Sequence, residues 1–244
     1  CFRASFFWSL ALILPGMTSM QTSTTTRSQE HQDGERADWP VRVLKFGGPS
    51  VTGAARLDGI ARIVRSRLQE CRPVLVVSAF SGVTELLGRA TVLAAAEGAN
   101  EVMPEADEVM HEVESIHREA LSDLTEGHAD VSEAVGALLS EADRLIRGIG
   151  LVRECSARTL DQVLSLGERL AVRLMAAGLT ERGIQAHPVD ARDIIITDEQ
   201  HGEAEVDFEQ TEARAAQLLG DKLSVPIVTG FIGGTASGEH SVIL

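Results

Sequence analysis

Pro73-Val74-Leu75-Val76-Val77-Ser78-Ala79-Phe80-Ser81-Gly82-Val83-Thr84 decides the fold. Its first half is an almost unbroken apolar run, the pattern of a strand buried on both faces of a parallel sheet. Its second half is a turn of small residues that feeds the helical pattern of residues 83 to 97. Outward from it, Val41 to Phe46 reads as a strand closed by Gly47-Gly48, and Ala54 to Glu70 as a helix with Leu57, Ile60, Ile63, Val64 and Leu68 on one side. Residues 98 to 150 read as two or three polar helices crossing outside the sheet. Thr159 to Arg182 reads as one long amphipathic helix or a broken pair. Gln185 to Asp190 and Ile194 to Thr197 are short strands, Glu209 to Leu219 a helix, and Val225 to Ile232 a further buried strand ending in Gly233-Gly234. Strands alternating with helices predict an α/β fold, a three-layer αβα sandwich with a mainly parallel sheet.

Composition narrows the function classes. The 244 residues are 44% apolar and 24% charged, which excludes a disordered, collagen-like or coiled-coil chain. Three cysteines without a CxxC pair argue against a disulfide scaffold or thiolate zinc site and suit a reducing, cytoplasmic compartment. With 22 basic against 36 acidic residues the formal net charge is −14. Such a chain repels nucleic acid and anionic membranes, so neither is an expected partner. Any phosphate must be held by a local constellation, and Lys45 and Lys222 are the two lysines available.

The chain begins at Cys1, and residues 6 to 14, behind Arg3, form an apolar run that looks like a signal-peptide core and is too short to span a membrane. The expectation is that this segment lies upstream of a start at Met17 or Met20, and that residues 1 to 40 are a lead-in to a domain covering 41 to 244. The apolar end Ser241-Val242-Ile243-Leu244 reads as a cut in mid-domain, leaving the sandwich truncated at its C-terminus.

In a parallel sheet, ligands gather at the carboxyl ends of the strands. Lys45 leaves its strand just before Gly47 and Gly48, where backbone N–H groups can approach a phosphate closely. It is neither a Walker A loop nor GxGxxG, and a plain loop is the competing reading. Ser78, Ser81 and Thr84 offer hydroxyls where a strand turns into a helix, with ordinary capping as the alternative. Ser165 and Glu168 fit a capping box. Glu168 has no basic residue three or four positions on, where Ala171 and Val172 stand, so as a helix-start carboxylate it could instead accept from a substrate ammonium. Thr229-Gly230-Phe231-Ile232-Gly233-Gly234 either lines the site or merely turns. His111 and His117 are six apart, no HExxH occurs, and His117, His128 and His187 are expected at the surface. Cys71 and Cys155 are expected to fill small gaps.

Taken in order, these segments resemble the aspartate kinases of the amino-acid kinase superfamily. The matching runs are Val43 to Val51, Val76 to Thr84, Arg158-Thr159-Leu160-Asp161 with Ser165-Leu166-Gly167-Glu168-Arg169-Leu170, Val189-Asp190-Ala191-Arg192 with Thr197-Asp198, and Val228 to Gly233. The long helical stretch before Gly148 is similar to that of the larger members, including those fused to homoserine dehydrogenase. The resemblance implies transfer of a phosphoryl group from MgATP to the side-chain carboxylate of L-aspartate, giving 4-phospho-L-aspartate. It implies Lys45 on the transferring phosphate, Gly47 and Gly48 as phosphate-side backbone, Ser78 facing the reacting groups, and Thr84 and Glu168 on the amino-acid substrate, with Mg2+ carried by the nucleotide. It also implies a homo-oligomer at full length. Pro49 stands where the family usually has Thr, which removes a hydroxyl and an N–H from that corner. A Gly-Arg-Gly-Gly-Ser-Asp segment that follows the last strand in the family lies outside this chain, so the chain alone is expected to be inactive and poorly folded. The alternatives are another amino-acid kinase, of glutamate or acetylglutamate type, or a non-catalytic binding remnant of the fold.

Overall fold

The computed structural model describes residues 39–51, 53–97, 103–124, 129–219, 224–238 and 241–244. His128, Lys222 and nearly all of the lead-in expected over 1–40 lie outside the described residues. Seven strands occur there: β1 Val41–Phe46, β2 Arg72–Val77, β3 Ala186–Val189, β4 Ile196–Thr197, β5 Val225–Thr229, β6 Ile232–Thr235 and β7 Ser241–Ile243. The helices are α1 Gly48–Val51, α2 Ala54–Arg67, α3 Val83–Glu97, α4 Pro104–Ser122, α5 Ala129–Val152, α6 Ala157–Glu181 and α7 Phe208–Leu219. The main sheet runs β1-β2-β5-β3, parallel throughout, and β4-β6-β7 form a second, smaller sheet.

β2 is central because it is apolar on both faces. Leu75 and Val77 join a core built with α2 to α6, while Val74 and Val76 join a second core with Ile194, Ile195, Ala215 and Ile232. The expected three layers are therefore present. The polar stretch after residue 98 gives α4 and α5, which cover α3 and α6 instead of the sheet, but they are not polar all round. Ala106, Val109, Met110, Val113 and His117 line one buried stripe.

Several expectations need correction. The helix begun at Ala54 ends at Arg67, and the strand expected over 194–197 is two residues long and belongs to the smaller sheet. The strand expected over 225–232 breaks at Gly230-Phe231, where Phe231 takes φ 57, and resumes as β6 beyond the edge of the main sheet. Gly233 and Gly234 do not end a strand but lie inside β6. A Cβ at Gly234 would stand 2.6 Å from the Arg192 carbonyl oxygen, so glycine lets β6 press against the turn before β4. His117 is not at the surface but fully buried, because its spacing of four from Val113 and Val109 puts it on the apolar stripe. His187 is half-buried, its Nδ1 2.7 Å from the Ser224 hydroxyl.

α6 carries the largest correction. It is a single helix capped by Ser156, whose hydroxyl accepts from the Thr159 N–H at 3.2 Å. Ser165 and Glu168 are thus mid-helix and form no capping box. At about 1.5 Å per residue the 25-residue helix is about 37 Å long, against about 20 Å for the six-residue strands. It therefore overhangs the carboxyl edge of the sheet. There Asp161, buried near its start, accepts from the Gly202 N–H at 2.9 Å and pairs with His201 Nδ1 at 3.0 Å. The overhang sets Glu168 level with the strand ends.

Candidate active site

The carboxyl ends of β1, β2 and β5 finish in register, Phe46 opposite Val77 and Val77 opposite Thr229. The chain leaving each strand is tied to its neighbour. The Ser78 N–H donates to the Phe46 carbonyl (3.3 Å), the Gly230 N–H to the Val77 carbonyl (2.8 Å) and the Ala191 N–H to the Thr229 hydroxyl (2.8 Å). This makes a rigid ledge rather than a set of free loops.

Two glycines fix what lies on it. A Cβ at Gly48 would stand 2.9 Å from the Ala79 carbonyl oxygen, and a Cβ at Gly167 would stand 2.9 Å from the Ala79 Cβ. Both contacts are closer than side-chain carbons allow. The Gly47-Gly48 loop and α6 therefore close on the turn at Ala79 from two sides. Gly47, by contrast, has open space at its Cβ position, and Ser78 is half-buried between the two loops. Pro49 occupies the first turn of α1, where a helix needs no N–H from it. Thr84 is exposed in the first turn of α3, next to Val83, which packs on Gly167.

Closure at Gly167 carries Glu168 to the turn, where the Ala79 N–H donates to its Oε1 at 3.3 Å. Glu168 is 5% exposed. Burial pushes it up to about 7, opposed by the Ala79 N–H. It is thus a desolvated acceptor poised to change charge near neutral pH, and sequence spacing had missed its depth.

Lys45 lies on the opposite face of the sheet from α6, the face it shares with Val41 and Val43. Its Nζ sits 4.2 Å above the centroid of the Phe231 ring. Phe231 belongs to the segment expected either to line the site or merely to turn, but its contact with Lys45 was not foreseen. The Gly-Phe pair after β5 was its only signal, because the contact joins residues 186 positions apart.

A further cluster absent from the sequence reading braces the β3 end of the ledge. Arg169 pairs with Glu141 of α5 at 3.1 Å and with Asp190 at 3.5 Å, and Arg192 pairs with Asp190 at 2.6 Å. Burial pushes the Asp190 carboxyl up, but Arg192, bonded to it, and Arg169 together hold it below the usual range. Among the described residues no group of three or more His, Cys, Asp or Glu could hold a metal ion. No helix among them is long and apolar enough to cross a membrane.

Lys45 near the end of β1, the two glycines after that strand and the buried Glu168 carboxyl thus lie at one carboxyl edge of the parallel sheet. Residues 40–244 match the amino acid kinase family model, and the chain belongs to that family. It is 32% identical over 198 residues to aspartokinase 1 of Arabidopsis thaliana, covering 78% of this chain and 33% of that protein. It is 32% identical over 218 residues to the aspartokinase of Schizosaccharomyces pombe, covering 82% and 40%. Among solved structures it is similar to Escherichia coli aspartokinase III in complex with aspartate and ADP, with TM-score 0.72 and 30% identity over 84% of this chain and 43% of that one. The chain spans between a third and a half of the length of these relatives.

Proposed function

We propose that this chain carries the substrate-side part of an aspartate kinase, a domain covering residues 41 to 244. The observation that carries the reading is the convergence of Lys45, the Gly47-Gly48 loop and buried Glu168 on one carboxyl edge. The similarity to aspartokinases supports the amino-acid substrate, since one neighbour is a complex with aspartate and ADP.

In this reading a side-chain carboxylate oxygen of L-aspartate attacks the γ-phosphorus of ATP. The bond to the bridging oxygen breaks, ADP leaves with that electron pair, and 4-phospho-L-aspartate remains. Such a transfer depends on positioning and charge neutralisation. Lys45 offsets charge on the transferring phosphoryl group, and the Gly47 and Gly48 backbone lies against it. Ser78 faces the reacting groups. Glu168 accepts the aspartate ammonium and Thr84 flanks it. In this reading Mg2+ is carried by the nucleotide phosphates.

Trapping the acyl phosphate with hydroxylamine tests the reaction in the full-length protein that carries this chain, with L-aspartate, L-glutamate and N-acetylglutamate compared. Aspartate alone should give hydroxamate. Lys45→Ala should lower turnover about 10²- to 10³-fold, the loss typical of one preorganised charge donor. Turnover with glutamate instead, or an unchanged rate in Lys45→Ala, overturns the reading.

A further inference from the structure

We propose that His117 is a positioning residue for Glu168: its ring, stacked on Phe80, holds the turn after β2 in the shape that brings the Ala79 N–H to the Glu168 carboxyl. The inference rests on the reading of Glu168 as the acceptor of the aspartate ammonium. Its own evidence is the way the turn is supported.

Gly48 and Gly167 press on Ala79 from two sides, and the Ser78 N–H is tied to the Phe46 carbonyl. Phe80, the next residue, is 4% exposed and turns its ring into the helical layer. There it stacks on His117 of α4, with centroids 5.5 Å apart and planes 10° apart, an arrangement that attracts beyond the area it buries. The bond that this turn makes to Glu168 is 3.3 Å, longer than the usual length of about 2.9–3.0 Å. A drift of a few tenths of an ångström in the turn therefore breaks it, and the stack is what resists drift at Phe80.

Histidine is a poor choice for filling space at this position. A leucine would complete the apolar stripe of α4 without burying a polar atom, whereas His117 is fully buried and its Nε2 has no partner. What the histidine supplies is a flat face with a fixed tilt. The Val113 carbonyl can only accept, so Nδ1 carries the ring proton and donates to it at 2.7 Å, one helical turn back. That bond fixes the ring plane to the α4 backbone. α4 itself packs on α3 and α6, so the stack is a route by which this outer helix reaches the site. The Ala79 N–H favours the charged form of Glu168. Losing it weakens the ammonium acceptor and leaves Lys45, on the other face of the sheet, untouched.

The test uses the full-length protein that carries this chain. His117→Leu keeps apolar bulk without the flat face. It should raise the aspartate KM about threefold to tenfold with kcat nearly unchanged and no fall in melting temperature. Hydrogen exchange read by mass spectrometry should quicken over residues 78 to 82 and stay unchanged over β5. Phe80→Leu should give the same KM and exchange changes, and the double variant should be no worse than either single, because effects that pass through one contact do not add. His117→Phe, which keeps the face, should return both readings toward wild type. Wild-type KM and exchange in His117→Leu, additive losses in the double variant, or a His117→Phe as impaired as His117→Leu overturns the proposal. If the wild type shows no aspartate-dependent turnover, the proposed function fails and exchange alone decides the positioning role. Quicker exchange over 78 to 82 in both single variants, with no further increase in the double, supports it; unchanged exchange overturns it.

Discussion

Glu168 and His117 are both buried titratable side chains, and they lie against successive residues of one turn. Glu168 accepts from the Ala79 N–H, and His117 stacks on Phe80 with ring centroids 5.5 Å apart. Burial shifts both toward their neutral forms, which is the opposite direction on the pH scale for each. Glu168 stands at the carboxyl edge beside the glycine loops, where the proposed function places the substrate ammonium. His117 is enclosed among helices, its Nδ1 2.7 Å from the Val113 carbonyl and its Nε2 without a partner. The same desolvation makes one residue a candidate binding group and the other a structural cost. Position relative to the carboxyl edge of the sheet separates them.

Glu168→Gln should produce the largest effect. It removes the acceptor charge proposed for the aspartate ammonium, so aspartate KM should rise on the order of 10²-fold. In the wild type, aspartate affinity should fall about tenfold per pH unit below about 7, as Glu168 takes up a proton. The same substitution should stabilise the unliganded chain at pH 8. A folded-state value of about 7 against 4.5 means the folded chain binds the extra proton between those pH values. That contribution is complete below pH 4.5 and is lost as pH rises through 7, leaving a penalty of up to about 3 kcal/mol. Thermal unfolding at pH 5 and pH 8 checks it. A destabilised Glu168→Gln at pH 8 would break the contrast with His117.

Gly167→Ala tests whether close approach of α6 is what delivers Glu168. Its Cβ would meet the Ala79 Cβ at 2.9 Å and Val83 Cγ1 at 3.3 Å, costing about 1–3 kcal/mol in unfolding free energy. Gly136 of α5 is exposed with open space at its Cβ position, so Gly136→Ala should stabilise by up to about 1 kcal/mol. Equal melting shifts for the two would mean that the contact at Ala79 is slack.

The smallest effect is expected at His117. Its folded-state value lies below 6.5, so the unfolded chain takes the proton first and stability is lost as pH falls below 6.5. His117→Leu removes that loss and the unpartnered nitrogen, and should gain about 1 kcal/mol at pH 5 relative to wild type. A Leu variant as acid-sensitive as wild type would show that His117 is not the group responsible.

Much of this was legible along the chain. The unbroken apolar run over 73–78 identified a central parallel strand, and glycines after apolar runs marked the carboxyl edge. The misreadings share one cause. Ser165 with Glu168, on either side of Gly167, suggested a helix start because that spacing is the local signature of a capping box. In the fold that glycine is required by Ala79, 88 positions away. His117 was placed at the surface by its polarity, although the spacing of Val109, Val113 and His117 already put it on a buried stripe.

The sequence by itself determined the alternation of strands and helices, the parallel sheet and the positions of Lys45, Gly47, Gly48 and Glu168 near one edge. These depend on periodicity, chain order and residue chemistry, which are local. Tertiary structure alone decided that Glu168 is buried and shifted to about 7, that Arg169 and Asp190 brace the ledge, and that Phe231 lies under Lys45. Those facts depend on distances between residues far apart in the chain, and desolvation and cation–π attraction arise only once packing has brought them together.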